Sequence, residues 1–143
     1  MREYLTLEEM KAVMATPCPH GDVKRAFLFS CFTGLRLSDV RSLTWDKIVK
    51  APDGKTLFIR TRMQKTQKLI NVPLSKEAID CLNPKENPEE QIFTLPAGTS
   101  NIERNIEKWM QDAKVTKHIT YHTASHSVFS FFLKINSLQN IPV

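Results

Sequence analysis

The stretch "DVKRAFLFSCFTG" constrains this chain more than any other. From Ala26 to Phe32 it is apolar almost all the way round a helical wheel, bounded by Asp22 as a candidate N-cap and by Gly34 as a stop. A surface helix needs only one apolar stripe, so a helix without a polar face has to be enclosed on all sides. The remaining elements must wrap around it. With 143 residues, 41% of them hydrophobic, the chain suffices for one such core and is short for two.

On either side of this segment the sequence marks its own helices. In "LTLEEMKAVMAT", Thr6 and Glu9 form a capping-box pattern, Leu5 and Met10 fit a hydrophobic staple, and Pro17 sets the limit. "SDVRSLTW" reads as a short helix capped by Ser38, leaving Arg36 in the connection. The period then changes. "KIV", the turn "PDGK", "TLFIRTRM", the polar corner "QKTQK" and "LINVPL" predict three short antiparallel strands, with Lys65 at or near a hairpin tip. "SKEAIDCL" gives a short helix and "NPKENPEEQ" a loop. Beyond Gly98, Ile102, Ile106, Trp109 and Met110 share one helical face behind the capping pair Ser100 and Glu103, and a last helix begins within "HITYHTASHSVFSFFLKI". The expected class is α+β, mainly helical, with one small three-stranded antiparallel sheet.

Charge and cysteine content narrow the function classes. The net charge of +5 is local: residues 55 to 72 carry Lys55, Arg60, Arg62, Lys65 and Lys68 with no acid, whereas residues 73 to 113 hold four basic residues against eight acidic ones. A block of this kind is either a solvated strand face or a nucleic-acid contact. Cys18, Cys31 and Cys81 are odd in number and widely spaced, so neither a disulfide framework nor a zinc ribbon is expected. Cys18 and His20 flank Pro19 without a second ligand pair. No run of about 18 uncharged apolar residues exists, and "MREYLTLEEM" is charged where a signal peptide is apolar; a cytoplasmic protein without membrane attachment is expected.

His118, His122 and His126 follow one another at intervals of four residues, which on one helix would place them on a shared face. The pattern lacks the intervening Glu of a metalloprotease motif, and a zinc site would need further ligands. A different reading comes from the order of three motifs. "FTGLRLSDVRSLTW" resembles the first-arginine motif of the tyrosine recombinase (phage integrase) family, "MQKTQK" resembles that family's β-hairpin lysine, and "YHTASH" resembles its H-x-x-R motif. The resemblance runs from about Leu5 to about His126 and implies the catalytic-domain fold of DNA breaking-rejoining enzymes over residues 1–143, incomplete at the C-terminus and without the family's core-binding domain.

What the resemblance implies is a chemistry. In this family a tyrosine hydroxyl attacks a phosphodiester of double-stranded DNA, a 3′-phosphotyrosine forms and a 5′-hydroxyl leaves, without cofactor or metal. Arg36 matches the first arginine, whose fork suits the charge that gathers on the phosphate oxygens. Lys65 matches the general acid for the leaving oxygen, with Lys68 as its local competitor, and His122 matches the phosphate-site histidine. His126 resembles the histidine behind the site, and His118 is peripheral. Asp39 fits two roles, orienting the site or stabilising the dipole of its helix. Arg60 and Arg62 fit either DNA-backbone contact or the solubilisation of an edge strand.

Two departures point to an inactive or incomplete domain. Ser125 stands where the second arginine is expected, and a hydroxyl does not replace a charged fork. After it, "SVFSFFLKINSLQNIPV" holds no tyrosine; Tyr4 and Tyr121 occupy other positions and read as packing or interface residues. The expected parent is a site-specific recombinase or integrase of a mobile element such as a transposon, tetrameric on DNA, with this chain alone a monomer. The alternative is a degenerate module that retains only duplex binding.

Overall fold

The computed structural model describes residues 4–82 and 87–124. Helix α1, Leu7–Ala15, starts at the expected capping box: the Glu9 N–H donates to Thr6 Oγ1 at 3.1 Å and the Thr6 N–H to Glu9 Oε1 at 2.9 Å. Helix α2, Gly21–Thr33, is followed by α3, Leu37–Arg41, and a 3-10 turn, Trp45–Lys47. Strands β1, Ile48–Lys50, β2, Leu57–Arg62, and β3, Leu69–Pro73, form an antiparallel sheet in the order β1-β2-β3. Ile48 pairs with Ile59, and Arg60 with Asn71. Helices α4, Lys76–Asp80, and α5, Thr99–Asp112, complete the elements, and residues 121–124 begin a last helical segment. The α+β class is as expected.

The apolar α2 segment is enclosed, as its composition demands. Ala26, Phe27, Phe29 and Cys31 are fully buried. Phe27 meets Trp109 of α5 edge to face at 5.4 Å and Tyr121 at 5.8 Å, while Phe29 packs on Phe93. Trp109 also donates its indole N–H to the carbonyls of Val13 and Thr16, at 3.0 and 2.9 Å, which satisfies the exposed end of α1 with a buried donor. Gly34 ends α2 at φ 81°, where a β-carbon would cost about 1 kcal/mol. The three cysteines are free, and burial pushes the Cys81 thiol up to about 12 and Cys31 higher still.

Three expected caps are displaced, and at two of them a distant partner takes a carboxylate of the expected pattern. Asp22 lies inside α2, after the N-cap His20; its carboxylate accepts from the Thr94 N–H at 2.6 Å and pairs with Arg25. Ser38 lies inside α3, whose N-cap is Arg36. Gly98, not Ser100, caps α5, and the Glu103 carboxylate instead accepts from the Tyr121 N–H at 3.1 Å. The edge-strand reading of Arg60 and Arg62 is also corrected, since β2 is the central strand. His118 precedes the last helical segment and is not helical, so it shares no helix with His122; Ser125 and His126 lie outside the described residues. Among the described residues no helix is long and apolar enough to cross a membrane.

Candidate active site

Arg36 leaves the core at a fixed point. Leu35 before it and Val40 after it are buried, so the intervening exposed arginine is held at the mouth of α3. Asp39, only 5% exposed, accepts through Oδ2 from the Arg36 N–H at 3.4 Å and through Oδ1 from the Gln64 N–H at 2.9 Å. One carboxylate therefore joins the start of α3 to the start of the β2–β3 turn. Gln64 adds a second tie, donating from Nε2 to Ser42 Oγ at 3.1 Å. Of the two roles Asp39 fits in sequence, orientation has direct hydrogen-bond support, and its position in the first turn of α3 leaves the dipole role in place as well.

Lys65 follows Gln64 at the tip of that turn. The Met63 N–H donates to the Lys68 carbonyl at 2.9 Å and the Gln67 N–H to the Met63 carbonyl at 2.8 Å, and Gln67 takes φ 60° to close the loop. Lys65 and Lys68 are exposed. Among the described residues the Lys65 ammonium makes no hydrogen bond or ion pair. Arg60 and Arg62 project from the exposed face of β2: Arg60 Nε donates to Asn71 Oδ1 at 3.0 Å, and Arg62 Nη1 to the Gln67 carbonyl at 3.1 Å. Both bonds brace the hairpin and leave other guanidinium donors available.

His122 is the second residue of the last helical segment and is exposed. Tyr121 beside it points inward. Its hydroxyl lies 2.7 Å from Ser30 Oγ and donates to the Ala26 carbonyl at 2.7 Å, and burial raises the phenol far above the ordinary tyrosine value. A hydroxyl so engaged is a core group rather than a nucleophile, in keeping with its reading as a packing residue. Burial likewise raises the Glu103 carboxyl, against the lowering effect of the Tyr121 N–H.

A cleft of about 620 Å³ brings these elements together. Arg36, Arg41, Gln64, Thr99, Tyr121 and His122 are among its lining residues. Arg36 and His122, 86 positions apart in the numbering, thus share one cavity; Lys65 does not line it but is joined to Gln64, which does. Arg41, Gln64 and Thr99 escaped the sequence reading. Only the position of Gln64 next to Lys65 could have signalled one of them, because the cleft forms between α3, the hairpin turn, the N-terminus of α5 and the last helical segment. Among the described residues no group of three or more His, Cys, Asp or Glu side chains is arranged to hold a metal ion.

A helical shell around a buried α2, a three-stranded sheet and a basic cleft beside the hairpin turn make up a fold of the integrase type. The sequence profile described as the phage integrase family matches residues 3–134, and the chain belongs to that family. Its fold is that of XerA recombinase, with a TM-score of 0.72 at 20% identity over 94% of this chain and 51% of the other. It is similar also to the catalytic domain of bacteriophage HP1 integrase, with a TM-score of 0.66 at 19% identity over 100% of this chain and 83% of that one. A λ integrase dimer bound to a COC′ core site gives 0.68 at 21% identity, over 94% and 51%. The chain therefore spans about half the length of XerA recombinase and of that λ integrase. No curated protein matches the sequence at a significant level.

Proposed function

We propose that this chain is the catalytic domain of a site-specific tyrosine recombinase from a mobile element, acting on double-stranded DNA. The observation that carries this reading is the single cleft shared by Arg36 and His122, tied through Asp39 and Gln64 to the turn that bears Lys65. The λ integrase of the same fold is bound to its core-site DNA. In this reading Arg36 stabilises the charge on the non-bridging oxygens as the phosphate is attacked. Lys65 gives a proton to the leaving 5′ oxygen, a task suited to an ammonium and denied to a guanidinium. His122 donates a hydrogen bond to the phosphate. Arg60, Arg62 and Lys68 lie along the DNA backbone, and the intact recombinase assembles as a tetramer on its substrate.

These 143 residues by themselves form no phosphotyrosine in this reading. Their two tyrosines are Tyr4 and Tyr121, and the hydroxyl of Tyr121 is buried against Ser30. Strand cleavage then needs a tyrosine supplied from outside these residues. Ser125 in the second-arginine position favours a second reading, a degenerate module that binds duplex DNA and no longer cuts it.

Fluorescence anisotropy with a labelled duplex tests the common part. Binding should weaken with salt on a log–log plot with a slope of about −0.9 per phosphate neutralised, and Lys65→Ala should reduce that slope by about one contact. Absence of binding at low salt would leave a helical domain with a solvated basic sheet. A nicked duplex that traps covalent intermediates should yield no adduct with this chain, and an adduct would refute the proposed inactivity. Cleavage restored by adding a tyrosine-bearing segment would decide for the recombinase over the degenerate module.

A further inference from the structure

The cleft contains a second guanidinium beyond the one matched by the family motif. Arg36 and Arg41 sit at the two ends of the five-residue helix α3, and both line the cavity that His122 also lines. Arg41 is half-buried, and its Nη1 donates to the Pro96 carbonyl at 3.0 Å. A guanidinium carries five N–H donors in a rigid fork, so one bond fixes its placement and leaves the others for a ligand. Among the described residues neither arginine pairs with a carboxylate. Asp39, the one buried acid among them, directs its oxygens at the backbone N–H groups of Arg36 and Gln64 instead.

Two cations lining one cavity with no acid among its described lining residues repel each other and attract an anion that presents several oxygens. A phosphodiester supplies one negative charge and two non-bridging oxygens, enough for both forks. We propose that Arg41 is a phosphate-binding residue that acts with Arg36 on the same phosphate, supplying from α3 the second guanidinium that Ser125 does not. This inference rests on the recombinase reading for the identity of the phosphate, and on the cleft alone for the existence of an anion site.

Titration of the 143-residue chain with inorganic phosphate at constant ionic strength, followed through the arginine side-chain Nε–Hε resonances, tests it. The signals of Arg36 and Arg41 should shift and saturate together in the unaltered chain. Arg41→Gln, which retains a donor for the Pro96 carbonyl, should weaken phosphate binding on the order of tenfold with an unchanged thermal midpoint. An Arg41 signal that stays still while that of Arg36 moves overturns the proposal in the unaltered protein, whether or not the variant folds. Unchanged phosphate affinity in a folded Arg41→Gln chain overturns it too. Phosphate binding that depends on both arginines, in a chain that fails to bind duplex DNA, supports the anion site while removing the recombinase reading; duplex binding with a stationary Arg41 signal does the reverse.

Discussion

At the scale of single residues, the site depends on side chains whose polar atoms are committed elsewhere in the fold. Tyr121 is adjacent to the exposed His122, yet its hydroxyl is engaged by Ser30 and Ala26. Tyr121→Phe should cost about 1–2 kcal/mol in urea denaturation, because Ser30 and a carbonyl lose a buried partner, and should leave duplex affinity unchanged. Asp39→Ala removes acceptors from two backbone amides and should cost about 1–3 kcal/mol. Hydrogen exchange at the Gln64 amide should accelerate in that variant. Asp39→Asn, which keeps one acceptor oxygen, should lie between the two. A duplex-affinity loss in Asp39→Ala without faster exchange at Gln64 would contradict the linking role.

Elements were legible in the sequence where local rules operate, and displaced where distant chain intervenes. The Thr6–Glu9 box, Gly34 and the Ile102–Ile106–Trp109 stripe act within a few residues, and the structure follows them. Asp22, a good N-cap by type, is claimed by Thr94, 72 residues away, and Glu103 by Tyr121, 18 residues away. No pattern within a single helix announces such donors. The candidate cleft was legible in the same uneven way: motif order singled out Arg36 and His122, which line it, and Lys65, which does not, whereas Arg41 and Thr99 become neighbours of the cleft only after four segments meet. One long-range tie is sensitive to acid. Burial raises the Glu9 carboxyl, but the Lys117 ammonium at 2.8 Å and the Thr6 donors outweigh it, so its folded value lies below the ordinary 4.5. The unfolded chain then binds the extra proton, and the stabilisation, complete above 4.5, is lost as pH falls through the folded value. Urea midpoints measured across that range should drop less steeply in Lys117→Ala than in the unaltered chain.

For the whole molecule, α2 is the element on which the rest is assembled, and Trp109 joins it to α1 and α5 through packing and two hydrogen bonds. Trp109→Ala should cost about 3–5 kcal/mol, a large part of the roughly 5–15 kcal/mol that domains of this kind possess. Loss of the cooperative urea transition would be the measured sign, and a change under about 1 kcal/mol would be at odds with this packing.

The double grip of Asp39 also limits how a reaction at this cleft could proceed. With Gln64 moored to the first turn of α3, the hairpin cannot swing as a free arm, and any pivot that moves Lys65 has to lie downstream of that anchor, among the few residues up to Lys68. In the proposed reaction, proton delivery then depends on the reach of one flexible side chain from a moored turn, so lengthening the loop after Lys65 should weaken duplex binding far less than freeing Gln64 from Asp39.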